Sequence, residues 1–337
     1  MNLKRILLAH GGGGRLTRDL IKGKFLPALH NRYLEPLSDS AVLPELPRGR
    51  LAFTTDAFVV DPIVFPGGDL GYLSVCGTLN DLAVAGARPL WISWALILEE
   101  GLDEEVLDIV VKGARKAALE SNVDIVAGDT KVVPKGKGDK AFAVTSGVGV
   151  IAPGVELFDQ AVVEGDAILV SGPIGDHGAA IMAVRQGLTG DMRSDVAPVW
   201  PLVNVLLEAG LEIRVLHDPT RGGVATVCHE VAEKTGLSMI LEEKELPVRS
   251  SVRAISDLLG LDPLYMACEG RFLAWVAEKH AQKAIDVLRS HPMGRDGAII
   301  GWVSRRPPGG SPVILRTRFG TERPLDLLTG LELPRIC

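Results

Sequence analysis

The sequence has few cysteines and no long apolar run. Four of its 337 residues are cysteines, Cys76, Cys228, Cys268 and Cys337, and no two of them form a C-x-x-C pair. That spacing gives neither a zinc knuckle nor a disulfide framework, so we expect a reducing, cytoplasmic location. No apolar stretch approaches the roughly 18 residues of a membrane span, and we therefore expect no membrane association.

The sequence also lacks a net positive charge and the familiar nucleotide-binding and hydrolase motifs. The net charge of -6 argues against a nucleic-acid partner. No Gly-Lys-Ser/Thr follows the early glycine run, so there is no Walker A loop. G-x-S-x-G, H-E-x-x-H and Rossmann fingerprints are absent as well. A bound nucleotide would have to be held in another way.

What the chain does have is the composition of an ordinary globular protein, with 47% hydrophobic and 23% charged residues, enough to build a sizeable core. Its length predicts two domains. Apolar strands alternate with amphipathic helices, which indicates an α/β fold. A run rich in proline, glycine and charge after residue 152 suggests an N-terminal domain over 1–153, a C-terminal domain over 154–320 and a flexible tail over 321–337.

In the first domain the patterns predict helices over 16–29, 69–85 and 103–121, and strands over 51–60, 89–98, 123–127 and 141–151. Asp69 and Asp103 stand at the N-cap positions of two of these helices. The strand over 123–127 should deliver Gly128, Asp129, Thr130 and Lys131 at its carboxyl end, where ligand-binding residues of α/β sheets collect.

Two glycine loops are candidate anion sites. Gly11, Gly12, Gly13 and Gly14 follow His10 and leave backbone N–H groups bare, which suits a flexible flap, an anion nest or a plain linker. The second loop runs from Asp218 through Arg221, Gly222 and Gly223 into a helix predicted over 224–234. A helix N-terminus with an arginine favours phosphate binding, although an ordinary turn with a surface salt bridge would have the same residues.

Three acids stand where an unpaired carboxylate is unfavourable. Asp56 interrupts a strand, Asp81 lies in the second half of an apolar helix, and Asp218 follows a β-branched strand. A hard divalent cation would satisfy all three, and Mg²⁺ usually completes its ligand shell with nucleotide phosphates. With Lys131 and Arg221 as phosphate donors, the residues predict a magnesium-nucleotide site without a P-loop.

Two further residues could carry chemistry. Glu269 lies in an apolar neighbourhood that should raise its pKa towards the range useful for proton transfer, although a paired structural carboxylate is an alternative. Cys337 is the last residue, and its thiol is either a free nucleophile, with a pKa that Arg335 should lower, or a chance cysteine in a frayed tail. His10, His177, His217 and His229 share no metal-ligand spacing, and we interpret most of them as structural.

Taken together, these motifs resemble the HypE family of hydrogenase maturation factors, within the superfamily of aminoimidazole ribonucleotide (AIR) synthetase and selenophosphate synthetase. The resemblance covers essentially the whole chain and rests on five segments: His10 to Gly14, Gly77 to Ala83, Gly128 to Val133, Asp218 to Gly223, and the terminal Pro334-Arg335-Ile336-Cys337. It implies a two-domain PurM-like fold, a homodimer formed through the sheet of the N-terminal domain, and ATP bound between the domains near the dimer interface.

The resemblance also implies a reaction. A carbamoyltransferase, HypF, would load Cys337 as an S-carboxamide, which the protein would dehydrate with ATP to a thiocyanate. The cyanide would pass to iron on a HypC-HypD complex, for [NiFe] hydrogenase. Cys337, Lys131 and Glu269 would be catalytic, with Glu269 as the base. Asp56, Asp81 and Asp218 would bind Mg²⁺. The nucleotide would contact these acids and the remaining motif residues, namely Gly11, Gly12, Gly13, Gly14, Asp129, Thr130, Lys131, Arg221, Gly222 and Gly223. Cys268 is a departure, since Asn is expected there.

Two other functions fit the same residues. One is a superfamily ATPase, a phosphotransferase or cyclo-ligase acting on a small molecule, whose activity would not depend on Cys337. The other is a non-catalytic thiol carrier or scaffold, in which nucleotide only changes the position of the tail. If the activity requires Cys337, the small-molecule ATPase is excluded. If the loaded tail loses water, the non-catalytic carrier is excluded.

Overall fold

The computed structural model describes residues 5–188, 190–328 and 335–337. Pro334, part of the terminal motif, lies outside the described residues. The elements of the first half are α1 (Arg15–Leu20), α2 (Leu26–Leu29), β1 (Arg50–Phe58), β2 (Val64–Phe65), β3 (Gly68–Asp69), α3 (Leu70–Val84), β4 (Ala87–Glu99), α4 (Glu104–Glu120), β5 (Asp124–Val133) and β6 (Ala141–Ile151). Those of the second half are β7 (Ala167–Val170), α5 (Asp176–Arg185), α6 (Trp200–Glu208), β8 (Ile213–His217), α7 (Gly223–Thr235), β9 (Ser238–Glu242), α8 (Ser250–Leu259), β10 (Leu273–Val276), α9 (Ala281–Ser290), β11 (Ala298–Ser304), β12 (Val313–Arg316) and β13 (Glu322–Pro324).

The first half is a four-stranded sheet with order β1-β6-β4-β5, in which only the β4–β5 pair is parallel. The helices α3 and α4 pack together beside this sheet. On β1, side chains alternate between the helix-covered face and an open face, where Leu51 is 59% and Phe53 is 70% exposed. An open face with large apolar side chains is a candidate contact surface.

The second half is a seven-stranded mixed sheet with order β13-β12-β9-β11-β7-β10-β8. The helices α6 and α9 cover one of its apolar clusters, and α7 packs in another. The predicted α/β fold is confirmed, and most predicted elements are within a few residues of their observed bounds. Among the residues that the structure describes, no helix combines the length and apolar character that crossing a membrane requires.

The helix α3 connects the two sheets. It contacts β1, β4 and β6 on one side and α6 and β8 on the other, which explains why it is apolar nearly all round. As predicted, Asp69 caps it, accepting hydrogen bonds from the N–H groups of Gly71 and Tyr72. The prediction for α4 was only half right, because Asp103 stands at the N-cap position but its side chain makes no capping bond and pairs with Arg5 instead.

Two other differences from the sequence interpretation affect the site. The strand β5 continues to Val133, so 128–131 lie within an edge strand and not in a loop at its end. Among the described residues, no strand pairs with the outer edge of β5. Residues 322–324, expected in the tail, form the edge strand β13.

The buried Asn80 on α3 holds the two halves together. Its Nδ2 donates to the carbonyls of Ala197 and Glu269, each at 3.0 Å, and its Oδ1 accepts from the Val199 N–H at 2.8 Å.

We expect Asn80→Ala to lower the free energy of unfolding by about 2–3 kcal/mol, since buried polar groups lose their partners. Urea denaturation measures this change. The surface variant Asn204→Ala is the control, and equal stability of the two would contradict the assignment.

Candidate functional site

A small cavity of about 40 Å³ lies where the two halves meet. Elements from both halves contribute its charged side chains: Asp56 comes from β1, Asp81 from α3, Asp218 and Arg221 from the segment between β8 and α7, and Glu269 from the segment before β10. The terminal Cys337 also lines it. Six residues that were singled out from the sequence and that are far apart along the chain therefore line one cavity.

The carboxylates in this cavity repel one another. Burial, followed by the charges of Asp218 and Asp56, raises the pKa of Asp81 to about 7. Burial is also the main reason that the pKa of Asp218 rises to about 6. The Thr54 hydroxyl donates to Asp81 at 2.7 Å, a partial compensation. Such a group of acids favours a cation.

The donor set suits a hard cation only when other ligands complete it. Among the described residues, no three His, Cys, Asp or Glu side chains are close enough to bind one ion directly. Magnesium, however, usually keeps several waters and takes one or two protein carboxylates together with substrate phosphates. Asp56, Asp81 and Asp218 around a common cavity are compatible with that mode.

Glu269 is almost completely buried, at 3% exposure, and its Oε1 has no hydrogen-bond partner. Burial, then the charges of Asp218 and Asp195, raise its pKa well above the ordinary range. Its backbone is fixed, because its N–H donates to Asp195 at 3.1 Å and its carbonyl accepts from Asn80. A rigidly held carboxyl with a raised pKa is typical of a proton-transfer group.

The thiol of Cys337 is within hydrogen-bonding reach of the Glu269 carboxylate. Burial and the Glu269 charge raise the pKa of this thiol, whereas the charge of Arg221 lowers it. The expectation that Arg335 would lower the pKa is wrong, because the Arg335 guanidinium pairs with Asp61 and Asp139 instead. Docked in this way, Cys337 is a protonated thiol in contact with the carboxyl predicted as the base.

The second glycine loop opens α7 as predicted. Gly222 and Gly223 have φ of +77° and +59°, conformations that glycine adopts at little cost. A Cβ on Gly223 would also come within 2.6 Å of the Leu264 carbonyl oxygen. Both glycines are therefore required by the backbone, and they leave the N-terminus of α7 beside Arg221 and the cavity.

Most of the other residues predicted to bind nucleotide line a second cavity. Gly11, Gly13, Asp129, Thr130 and Lys131 line a cavity of about 500 Å³ with an apolar floor. Gly12 and Gly14 adjoin it in sequence, and a Cβ on Gly11 would meet the Val132 nitrogen at 2.4 Å. This close packing by itself requires a glycine at position 11.

Lys131 does not reach the acids within one chain. Its Nζ contacts Asp129 at 3.0 Å, and its side chain is 63% exposed. It lies on β5, whereas Asp56 lies on β1 at the opposite edge of the sheet. The strands β1 and β5 are three strand spacings apart, which corresponds to a distance of about 14 Å. The predicted catalytic set is therefore divided between two cavities.

Cys268, where Asn was expected, is not among the residues that line the small cavity. Its Sγ accepts a hydrogen bond from the Gly175 N–H at 3.2 Å, and burial raises its pKa well above the ordinary value. The residue is therefore a buried, protonated thiol of low reactivity.

Sequence reasoning missed several residues that build the site: Thr54, which binds Asp81; Asn80, which joins the halves; Asp195, which holds Glu269; and His177, which contacts the tail. Their partners are distant in sequence, so no local spacing could have identified them. Asn80 and Asp81 are adjacent polar residues in an apolar helix, and that was the only available signal.

Comparisons with known proteins agree with this geometry. Residues 37–151 match the model of the AIR synthase related protein, N-terminal domain, and residues 163–312 match the corresponding C-terminal domain. The carbamoyl dehydratase HypE of Azotobacter vinelandii is 46% identical over 332 residues, covering 98% of this chain and 96% of that protein.

Two solved structures are similarly close. A hydrogenase maturation protein HypE in complex with ATP superposes with a TM-score of 0.93 at 45% identity, covering 98% of this chain and 99% of the other. A HypE-HypF complex contains a chain with a TM-score of 0.79 at 43% identity, covering 92% and 99%. The resemblance predicted from the motifs is confirmed: the chain belongs to the HypE family of carbamoyl dehydratases, within the AIR synthase related proteins.

Proposed function

We propose that this chain dehydrates an S-carboxamide on its own Cys337 in an ATP-dependent reaction, and so supplies cyanide for the iron centre of [NiFe] hydrogenase. The observation that carries the proposal is the contact between the Cys337 thiol and Glu269, inside a cavity that also contains three carboxylates and Arg221. A relative is named a carbamoyl dehydratase, and another was solved with ATP.

The reaction balances without further reactants. The carboxamide oxygen attacks the γ-phosphorus of ATP and leaves as phosphate, with cleavage of its bond to carbon. The nitrogen gives up two protons, and the product is a thiocyanate with ADP and phosphate. Glu269 accepts a proton from the nitrogen in this scheme, and its buried, unpartnered Oε1 supports that role. Arg221 and the N–H groups at the start of α7 would stabilise the transferring phosphoryl.

Asp56, Asp81 and Asp218 would hold Mg²⁺, which neutralises phosphate charge when it is bound. Gly11, Gly12, Gly13, Gly14, Asp129, Thr130, Lys131, Arg221, Gly222 and Gly223 remain our proposed nucleotide contacts. We also propose the division into domains over 1–153 and 154–320 with a tail from 321, and a cytoplasmic location.

A homodimer would reconcile the two separate cavities. The open sheet face with Leu51, Phe53 and the 37%-exposed Val144 supports association through this domain. A second copy placed on that face would bring its own β5, with Lys131, towards the acids of the first. HypF, the partner in a relative's solved complex, would load Cys337, and a HypC-HypD complex would accept the cyanide.

Mass spectrometry of the terminal peptide tests the proposal. Protein carbamoylated on Cys337 and given MgATP should lose one water from that peptide, with one ADP formed for each event. Protein given the non-hydrolysable analogue AMPPCP is the control and should keep its mass. ADP formation with an unchanged peptide would overturn the proposal.

The pKa values of the acids predict how stability depends on pH. Asp81, at about 7, and Asp218, at about 6, bind protons in the folded protein at pH values where the unfolded chain, near 3.8, does not. Without divalent cation, the Tm should therefore fall as pH rises from about 4 to about 7. Mg²⁺ should raise the Tm more at pH 8 than at pH 5.5.

Asp81→Asn is the matched variant for this titration, because it removes one of the repelling charges. Its Tm should depend less on pH, and its response to Mg²⁺ should be smaller. Parallel curves for the variant and the wild type would contradict the assignment of the pH dependence to this group.

A further inference from the structure

The last three residues are held by side chains from both halves of the molecule. The Ile336 side chain is 3% exposed and packs in the apolar core of the first half. His177 and Arg185, on α5, bind the carbonyls of Ile336 and Arg335, at 2.8 Å and 2.5 Å. These contacts lie beside the reacting group and do not touch it.

His177 has a defined tautomer in this arrangement. Because a carbonyl only accepts, Nε2 must carry the proton that binds the Ile336 oxygen. Nδ1 then accepts from the Ser194 hydroxyl, at 2.7 Å. Burial lowers the pKa of His177, so the ring is neutral, as this pattern requires. Ser194 in turn accepts from the Val196 N–H at 3.1 Å, which fixes its hydroxyl.

Arg335 is bound through its backbone and its side chain. Its carbonyl also accepts from the Asp61 N–H at 3.2 Å, and its guanidinium pairs with Asp61, at 3.4 Å, and with Asp139. Arg185, in the second half, donates to the carbonyl of Asp61, in the first half, at 2.7 Å and so connects the residues that bind Arg335. Arg335 has a φ of +53°, a conformation that costs a non-glycine residue free energy unless its surroundings impose it.

We propose that His177, Arg185, Asp61 and Asp139 form a binding site for a peptide end of the type Arg-Ile-Cys, and that this site positions the Cys337 sulfur. The inference rests on the proposed function only for what happens to the sulfur afterwards. We call these four residues the tail site. They are positioning residues, because none of them contacts the thiol.

The contacts imply a particular kind of recognition. They end at the Ile336 carbonyl, so the tail site binds the same atoms whether Cys337 carries a thiol, a carboxamide or a thiocyanate. It therefore sets where the sulfur lies, while discrimination between loaded and unloaded tails falls to the cavity around Glu269. Since Asp61 and Asp139 belong to one half and His177 and Arg185 to the other, a docked tail also links the two halves.

Alkylation of the full-length protein tests the tail site. Iodoacetamide should label Cys337 slowly in the wild type, and the terminal peptide reports the rate in a mass spectrometer. His177→Ala leaves a buried carbonyl without its partner and should speed labelling about tenfold. His177→Gln keeps an N–H donor and should restore most of the protection. Asp139→Ala removes one half-exposed ion pair and should speed labelling about threefold. Arg335→Ala also removes the pair with Asp61 and should speed labelling somewhat more.

The double variant Asp139→Ala with Arg335→Ala should be labelled no faster than Arg335→Ala alone, a non-additivity that loss of general stability would not produce. Cys76, Cys228 and Cys268 are fully buried and report on folding, since they should stay unlabelled throughout. Arg318→Ala removes an unrelated surface pair with Glu243 and should leave the rate unchanged.

The two proposals fail in different ways. Wild-type labelling rates in all variants, together with normal water loss from carbamoylated wild type, would overturn the tail site and leave the dehydratase intact. Faster labelling in the variants with no water loss in the wild type would overturn the dehydratase and support the tail site.

Discussion

Glu269→Gln should slow the loss of water from the carbamoylated tail by about 10²- to 10⁴-fold, the usual contribution of a positioned proton acceptor. The amide has nearly the same shape as the carboxyl and cannot take the proton. ATP affinity should stay within about twofold, because this effect concerns the transition state and not ground-state binding. Single-turnover mass spectrometry of the terminal peptide measures the rate, and equilibrium binding of a fluorescent ATP analogue measures the affinity.

The pH profile gives this experiment a second readout. A base acts in its ionised form, and the pKa of Glu269 lies well above the ordinary range. The single-turnover rate of the wild type should therefore rise with pH until Glu269 is ionised, whereas the Gln variant should lack that rise. Glu245→Gln changes an exposed glutamate and is the control. Normal dehydration by Glu269→Gln would remove Glu269 from the mechanism.

Cys337→Ala should reduce thiocyanate formation and tail-dependent ADP release to background, since the reactant itself is gone. Nucleotide binding should persist, because the three carboxylates, Arg221 and the α7 N-terminus remain. Cyanide transferred to an iron acceptor and ADP released are the quantities to measure. Cys228→Ala removes a buried thiol in α7 and should retain both activities. Continued ATP turnover on a small molecule by Cys337→Ala would instead favour a phosphotransferase or cyclo-ligase.

With Cys337 in the cavity beside Glu269, its thiol is poorly placed to be loaded by a partner enzyme. Burial and the neighbouring Glu269 raise the pKa of the Cys337 thiol, so the docked sulfur is a poor nucleophile and is shielded from a partner enzyme. Loading by a carbamoyltransferase would then need the tail undocked. Before the tail, the Leu325 and Asp326 carbonyls accept hydrogen bonds from His229 and Tyr265, each at 2.5 Å. Eleven residues follow Asp326, a length that reaches roughly 35 Å when extended.

The limits of sequence reasoning are clearest at Lys131 and His177. Lys131 belongs to a motif that the sequence made conspicuous, yet within one chain the sheet order separates it from the acids by three strand spacings. His177 had no motif and was interpreted as structural, yet it binds the last peptide group of the chain. Strand order and the path of a terminus depend on contacts between distant segments, which a local pattern does not encode.

The sequence by itself determined the α/β class, most of the helices and strands, the family, and the residue types of the site: three acids, a glycine-arginine loop, a buried glutamate and a terminal thiol. These follow from periodicity, capping and motif order, all of which are local along the chain. Only the tertiary structure decided that Cys337 meets Glu269, that Asn80 and the tail join the two halves, and that the glycine-rich cavity stands apart from the acids. Those relations arise from packing and hydrogen bonding between segments that are far apart along the chain.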